Sequence, residues 1–340
     1  MSERARRPTV KEVALRAGVS PMTVSRTLSG GLNVKPDVQQ RVMEAVAELG
    51  YHRNENARSL RPGHSSGLIG VAITNIANPY YSTFALGVEE EAALTGRRIL
   101  LGNTSEDAAR ESDLVGDFLG RRVDGLIVVP AGTASAHLAH SQSQGVPVVL
   151  ASRRIEGLAA DSVVLADDDG AYRGTTALVD RGHTRIGYLG NALSIFTGER
   201  RYAGFVRALE ERGVALDPHL VAANQQTVDQ AREATRALLR VDNPPTAIFC
   251  ANNRNAIGAL KEISAQLNAG SGAVRDFPEI MSFDDFELAE LSPVPISVID
   301  HDPRELGRTA TRLLLDRLDG GKLDAPVREI ELPVSLRGVR

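Results

Sequence analysis

Met22, Ser25, Arg26 and Ser29 follow one another at the i, i+3, i+4, i+7 spacing of one helical stripe. A helix that turns this stripe outward presents a thioether, two hydroxyls and a guanidinium. Such groups suit the backbone and base edges of a DNA groove. A second set of reactive side chains is acidic: Asp167-Asp168-Asp169 and Asp284-Asp285, with His183 and His301 elsewhere in the chain. Carboxylates and imidazoles can serve acid–base catalysis, but no nucleophile motif and no GxGxxG or GxxxxGK[ST] loop accompanies them. The aspartate run reads as a solvated crossover, and His183, in the turn RGHTR, as structural. Cys250 is the single cysteine, which excludes an internal disulfide and a CxxC-type zinc site. Neither a metal nor a cofactor is expected.

The outward stripe needs a scaffold. Pro21–Leu28 is too short for a stable isolated helix, since those below about 12–15 residues are marginal in water. Neighbours must hold it. Thr9-Val10-Lys11-Glu12 is a capping box that starts a preceding helix, and Gly18 ends it in a left-handed turn. Ser20 is the N-cap of the short helix and Pro21 its first residue. A third helix starts near Pro36 and runs through Val38, Val42, Val46 and Leu49 to Gly50. The turn Ala17-Gly18-Val19-Ser20 is that of a helix-turn-helix, with Val24 and Leu28 facing the other two helices. Lys35, just before Pro36, lacks a capping hydroxyl and should weaken the third helix's start.

The charge is divided accordingly. Residues 1–62 hold 11 Lys/Arg against 6 Asp/Glu, whereas the whole 340-residue chain has net charge −4. A basic N-terminal segment on an acidic body suits a nucleic-acid reader joined to a separate module. After the weak helical segment 54–60, the stretch Arg61–Gly67 reads as a linker. From Leu68 on, short apolar runs (LIGVAI, RILLG, GLIVV, VPVVLA, SVVLA, RIGYLG, TAIFCA, EIMSF) alternate with amphipathic helices. This predicts parallel sheets with crossover helices, enough for two α/β subdomains. The charged start, MSERARRPTV, has no secretory apolar core, and no apolar run reaches transmembrane length. A cytoplasmic protein without membrane contact is expected. A solute-binding protein or a carbohydrate-active enzyme is the alternative, the former weakened by the missing signal peptide.

Residues 9–61, with VALRAGVS, TVSR, ELGY and ARSLR, resemble the DNA-binding headpiece of the LacI/GalR family of bacterial transcription regulators. NPYY, DGLIVVP, RGHTRIGYLG, GERRYAGF, PTAIFCAN and SFDD extend the resemblance through the body. It implies an all-α helix-turn-helix headpiece (1–53) and a hinge helix with linker (54–66). An effector-binding α/β domain of two lobes (67–340), like a periplasmic sugar-binding protein, would follow. The N-lobe would take about 67–165 and 301–324, and the C-lobe about 166–300 and 325–340. The lobes would be joined near Leu165–Asp167, His301–Asp302 and Asp324–Pro326. The function implied is that of a repressor, a homodimer on a near-palindromic double-stranded operator, controlled by a sugar, sugar derivative or nucleoside.

The resemblance assigns base reading to Pro21, Met22 and Arg26, and phosphate contacts are expected at Thr23, Ser25 and Arg41. Asn54, Ala57, Arg58 and Leu60 would form the minor-groove hinge, with Leu60 as the wedge that bends the duplex. In the cleft, Tyr80, Tyr81, Ser152, Arg201, Asn252, Asp284 and His301 match effector-binding positions. Ser152, Asn253 and His301 depart from the residues usual there, and Asn224-Gln225-Gln226 lacks an aromatic platform. These departures argue against a simple hexose.

Overall fold

The computed structural model describes residues 8–28, 30, 33–51, 65–287, 289–320 and 325–338. Ser29 and the hinge candidates Asn54, Ala57, Arg58 and Leu60 lie outside them. The chain divides into two compact units, Met1–Ser66 and Gly67–Arg340.

In the first unit, α1 (Val10–Ala17), α2 (Pro21–Thr27) and α3 (Pro36–Leu49) follow the capping signals. Thr9 and Glu12 close the box, and Gly18 ends α1 at φ 66°, a conformation that glycine adopts without strain. Ser20 caps α2 by accepting from the Thr23 N–H at 3.1 Å. Lys35 gives α3 no side-chain cap. Val13, Ala14, Ala17, Val24, Val42, Ala45 and Tyr51 make a small common core. Burial of Val24 in that core holds the seven-residue α2 in place.

The second unit contains two six-stranded sheets. The first lobe's sheet is built from β1 (Leu68–Ile73), β2 (Arg98–Asn103), β3 (Gly125–Val128), β4 (Val148–Ala151), β5 (Asp161–Leu165) and β11 (Glu329–Leu332), in the order β11-β5-β4-β3-β1-β2. The second takes β6 (Ile186–Leu189), β7 (Val221–Ala222), β8 (Ala247–Cys250), β9 (Glu279–Phe283), β10 (Ile296–Asp300) and β12 (Ser335–Arg337), ordered β12-β10-β9-β8-β6-β7. Neighbouring strands are parallel except β10 with β12. Central strands such as β3, β4 and β8 are buried along their whole length, which accounts for their unbroken apolar runs.

Helices α4 (Pro79–Ala93), α5 (Ala108–Gly120), α6 (Ala136–Ser143) and α11 (Pro303–Asp319) cover the first sheet. The second is covered by α7 (Asp167–Asp180), α8 (Phe196–Glu211), α9 (Val228–Leu238) and α10 (Asn253–Asn268). The chain passes between sheets at Ala166, at His301–Asp302 and at Pro333–Val334.

The third passage corrects the expected crossing at Asp324–Pro326. Residues 329–332 stay with the first lobe, where β11 runs parallel to β5. The buried Asp161 carboxylate explains this. It accepts from Arg317 Nε and Nη2, from Arg328 Nη2 and from the Arg328 backbone N–H, all at 2.6–3.0 Å. That clamp ties the approach to β11 onto β5, and Pro333, which has no N–H to donate, follows where the ladder ends.

Candidate functional site

Two surfaces carry the chemistry. On the headpiece, Pro21, Met22 and Arg26 are exposed on α2, Met22 at 63 %, while Val24 on the opposite face is fully buried. An exposed methionine beside a fully buried valine on one short helix argues that the thioether is not core filling. Thr23 and Ser25 are half-buried and Arg41, on α3, is exposed. The Thr23 hydroxyl also lies 2.9 Å from the Ser20 hydroxyl. The apolar spacing of α2 therefore turns one face inward and a mixed thioether, hydroxyl and guanidinium face outward.

Between the lobes of the second unit lies a narrow cleft of about 70 Å³. It is lined by Tyr80, Tyr81 and Ser152 from the first lobe and by Arg201, Asn252 and Asp284 from the second. Six of the seven residues expected there are thus brought together. Ser152 follows β4 and Asp284 follows β9, so each stands at the C-terminal end of a parallel strand, where ligands of α/β sheets bind. Both have left-handed backbones, with φ of 61° and 66°. Non-glycine residues held there are strained, and such strain concentrates at functional sites.

Arg201 organises the second lobe's wall. Its Nε donates to Asp167 Oδ1 at 2.7 Å and its Nη1 to the Ala251 carbonyl at 2.6 Å. Nη1 also reaches Asp284 Oδ2 at 3.5 Å, and the guanidinium carbon sits 3.7 Å from the Phe283 ring centre. Burial pushes the Asp167 carboxyl up to about 6, against the pull of Arg201. The second Asp167 oxygen and Asp284 Oδ1 have no hydrogen-bond partner among the described residues. Asp167 is 2 % exposed, so the solvated crossover expected for the aspartate run does not extend to its first member. Its position at the start of α7 aims it inward at Arg201, a direction that runs of charge do not encode.

Across the cleft, Tyr80 Oη lies 3.1 Å from Ser152 Oγ, and Tyr80 meets Tyr81 edge to face at 4.9 Å. Asn252 caps α10 by accepting from the Asn255 N–H at 2.9 Å, and donates to Asn191 at 2.8 Å. His183 bonds Thr246 and Glu279, as a structural histidine should.

His301 is placed differently from expectation. It stands at the second passage between lobes, 5.5 Å from the Tyr80 ring and 3.8 Å from Asp284, and lines with them a neighbouring pocket rather than the narrow cleft. The ring is almost fully buried, and neither nitrogen has a hydrogen-bond partner among the described residues. Burial lowers its pKa despite the attraction of Asp284. The neutral ring is therefore favoured in the folded state. The stability it confers is complete above the ordinary histidine value, about 6.5, and is lost as pH falls toward the folded one. Between pH 7.5 and pH 5, wild type should lose more stability than His301→Gln, measured by urea denaturation. Equal losses refute the assignment.

Three features of the cleft escaped the sequence. Asn78 and Asn253 exchange side-chain hydrogen bonds of 3.2 and 2.9 Å between the two lobes. Arg153 forks onto Glu106 at 2.6 and 2.8 Å and donates to the Pro130 carbonyl at 2.7 Å. Arg254 lines the cleft beside Asn252. In the sequence, Asn253 stands out only as a departure from the residue usual there, and no local signal marks the other residues.

The body, residues 66–335, matches the family model described as periplasmic binding proteins and sugar binding domain of LacI family. Residues 9–54 match that of bacterial regulatory proteins, lacI family. Catabolite control protein A of Priestia megaterium is 30% identical over 326 residues, 96% of either chain. The ribose operon repressor of Haemophilus influenzae is 31% identical over 310 residues, 91% of this chain and 92% of that one. The crystal structure of the Lac repressor dimer bound to operator and the anti-inducer ONPF superposes with a TM-score of 0.82. It has 26% identity and covers 98% of each chain. Among the described residues, no helix is long and apolar enough to cross a membrane.

Proposed function

Because the chain belongs to the LacI family of bacterial regulatory proteins and is a DNA-binding transcriptional repressor, we propose that α2 reads its operator and that a small molecule between the lobes controls the grip. Pro21 and Met22 pack on the groove, for instance on a thymine methyl, and Arg26 pairs with guanine O6 and N7. Thr23, Ser25 and Arg41 hold phosphates and set the register. The protein acts as a homodimer on a near-palindromic site, since two-fold protein symmetry reads two-fold DNA. The solved Lac repressor dimer on its operator supports this assembly.

The effector is a sugar, sugar derivative or nucleoside held by Tyr80, Tyr81, Ser152, Arg201, Asn252 and Asp284. It changes the relation of the lobes, and segment 54–66 transmits the change, with Leu60 as the wedge and Asn54, Ala57 and Arg58 beside it in the minor groove. The protein works in the cytoplasm, on the nucleoid, and catalyses nothing; the relatives named above are regulators.

One observation carries the DNA reading: Met22 and Arg26 are exposed on a helix whose other face is locked by Val24. The test is genomic selection of a preferred fragment, followed by anisotropy titration of Arg26→Ala. Loss of one bidentate guanine contact is worth about 1–3 kcal/mol, so affinity for the preferred fragment should fall about 10–100-fold. Affinity for bulk DNA should change far less. A parallel fall on both DNAs makes Arg26 a phosphate contact, and failure to select any fragment overturns the reading.

A further inference from the structure

We propose that the molecule held between the lobes carries an oxyanion, a carboxylate or a phosphate, which pairs with Arg254. The inference rests on the reading of this cleft as the effector site and narrows the effector to an acidic sugar or polyol.

The pairing of side chains in the cleft leads there. The lining contains three arginines, Arg153, Arg201 and Arg254, and two acids, Glu106 and Asp284, with Asp167 buried behind it as a third. Glu106 is taken by the two-pronged bond from Arg153. Asp284 faces Arg201, whose other carboxylate, Asp167, lies buried behind the wall. Arg254 is left over. Its Nε is sealed from solvent with no hydrogen-bond partner, and among the described residues no carboxylate pairs with its guanidinium. A sealed donor without a partner is uncommon in folded proteins and calls for an explanation.

A second observation points the same way. The N-terminus of the sixteen-residue α8 opens on the same cleft through Ile195 and Thr197, and no side chain caps it. Its first-turn N–H groups and the positive end of its dipole favour negative charge, of which Glu199 in the same turn supplies one. A guanidinium matches the paired oxygens of a carboxylate or phosphate. The rest of the wall suits hydroxyls: Asn191, Asn252 and Gln226 supply amides. A neutral hexose or nucleoside would leave Arg254 without a counter-charge.

The test uses the full chain at constant ionic strength, followed by thermal denaturation and calorimetric titration. Phosphate and acetate are compared with chloride, and glucose 6-phosphate and glucuronate with glucose. At least one oxyanion arm should raise the melting temperature above its neutral or chloride control. In Arg254→Gln the half-saturating concentration should rise about tenfold or more, the worth of one charge-assisted hydrogen bond. Arg254→Lys should keep part of the response, as a point charge without the fork. The phosphate and carboxylate arms separate the two sources of the oxyanion. The proposal falls if no oxyanion exceeds its control, or if Arg254→Gln responds as wild type does. A response to glucose without one to the oxyanions overturns it while leaving the effector cleft intact. If no probe moves either stability or DNA affinity, the effector reading falls with it.

Discussion

Replacing Arg201 with methionine is expected to cost about 3–5 kcal/mol of stability, because it removes one partner from a buried ionic cluster. Asp167 and Asp284 would then face each other with no cation between them. Arg201 is 6 % exposed and joins α7, the end of β8 and the end of β9. Urea denaturation monitored by circular dichroism reads the loss. Adding Asp167→Asn to the same chain should return part of it, since the second change removes the uncompensated charge. If the single variant unfolds at the wild-type midpoint, the cluster contributes nothing to the fold. Arg201 would then be only a ligand contact.

Asp161→Asn is the second large effect. Burial works to raise this carboxyl, yet bonds from Arg317 and Arg328 outweigh burial and hold it below the ordinary range. A depressed carboxyl contributes stability above its unfolded value, about 3.9, and loses it as pH falls through the folded one. At pH 7 the asparagine variant should therefore be less stable by about 3 kcal/mol. That is the low end for a broken buried pair, because the Arg328 side chain is 40% exposed and solvent screens part of the network. The gap should close as the pH drops below 4. Since the same carboxylate holds the approach to β11, hydrogen exchange in 329–332 should rise more than in β3. Uniform exchange across the first sheet would refute the clamp.

Much of the headpiece was legible in its residues. Thr9, Glu12, Gly18, Ser20 and Pro21 act on backbone groups within a few positions of themselves, so their types alone mark where helices start and stop. Val24 and Leu28 set the inward face, and the outward face follows by exclusion. In the body, apolar runs exposed the parallel strands, and the resemblance pointed to Arg201, Asp284, Ser152, Tyr80, Tyr81 and Asn252, which line one cleft. The misplaced elements were those whose position depends on distant partners. Residues 325–332 looked like the start of the second lobe until Asp161 bound Arg328, 167 positions away. His301 matched a cleft position by motif, but the fold sets it beside Tyr80 in a neighbouring pocket.

By itself the sequence determined the kinds of element, their order and the chemistry available, because caps, turns and hydrophobic periodicity operate over a few residues. Only the tertiary structure decided which charges neutralise one another. Arg201 meets Asp167 at a separation of 34 residues and Asp284 at 83, while Asn78 meets Asn253 at 175. Coulombic and hydrogen-bond partners are chosen by proximity in space, and chain separation carries no trace of that choice. The same holds for Arg254, whose guanidinium pairs with no carboxylate among the described residues.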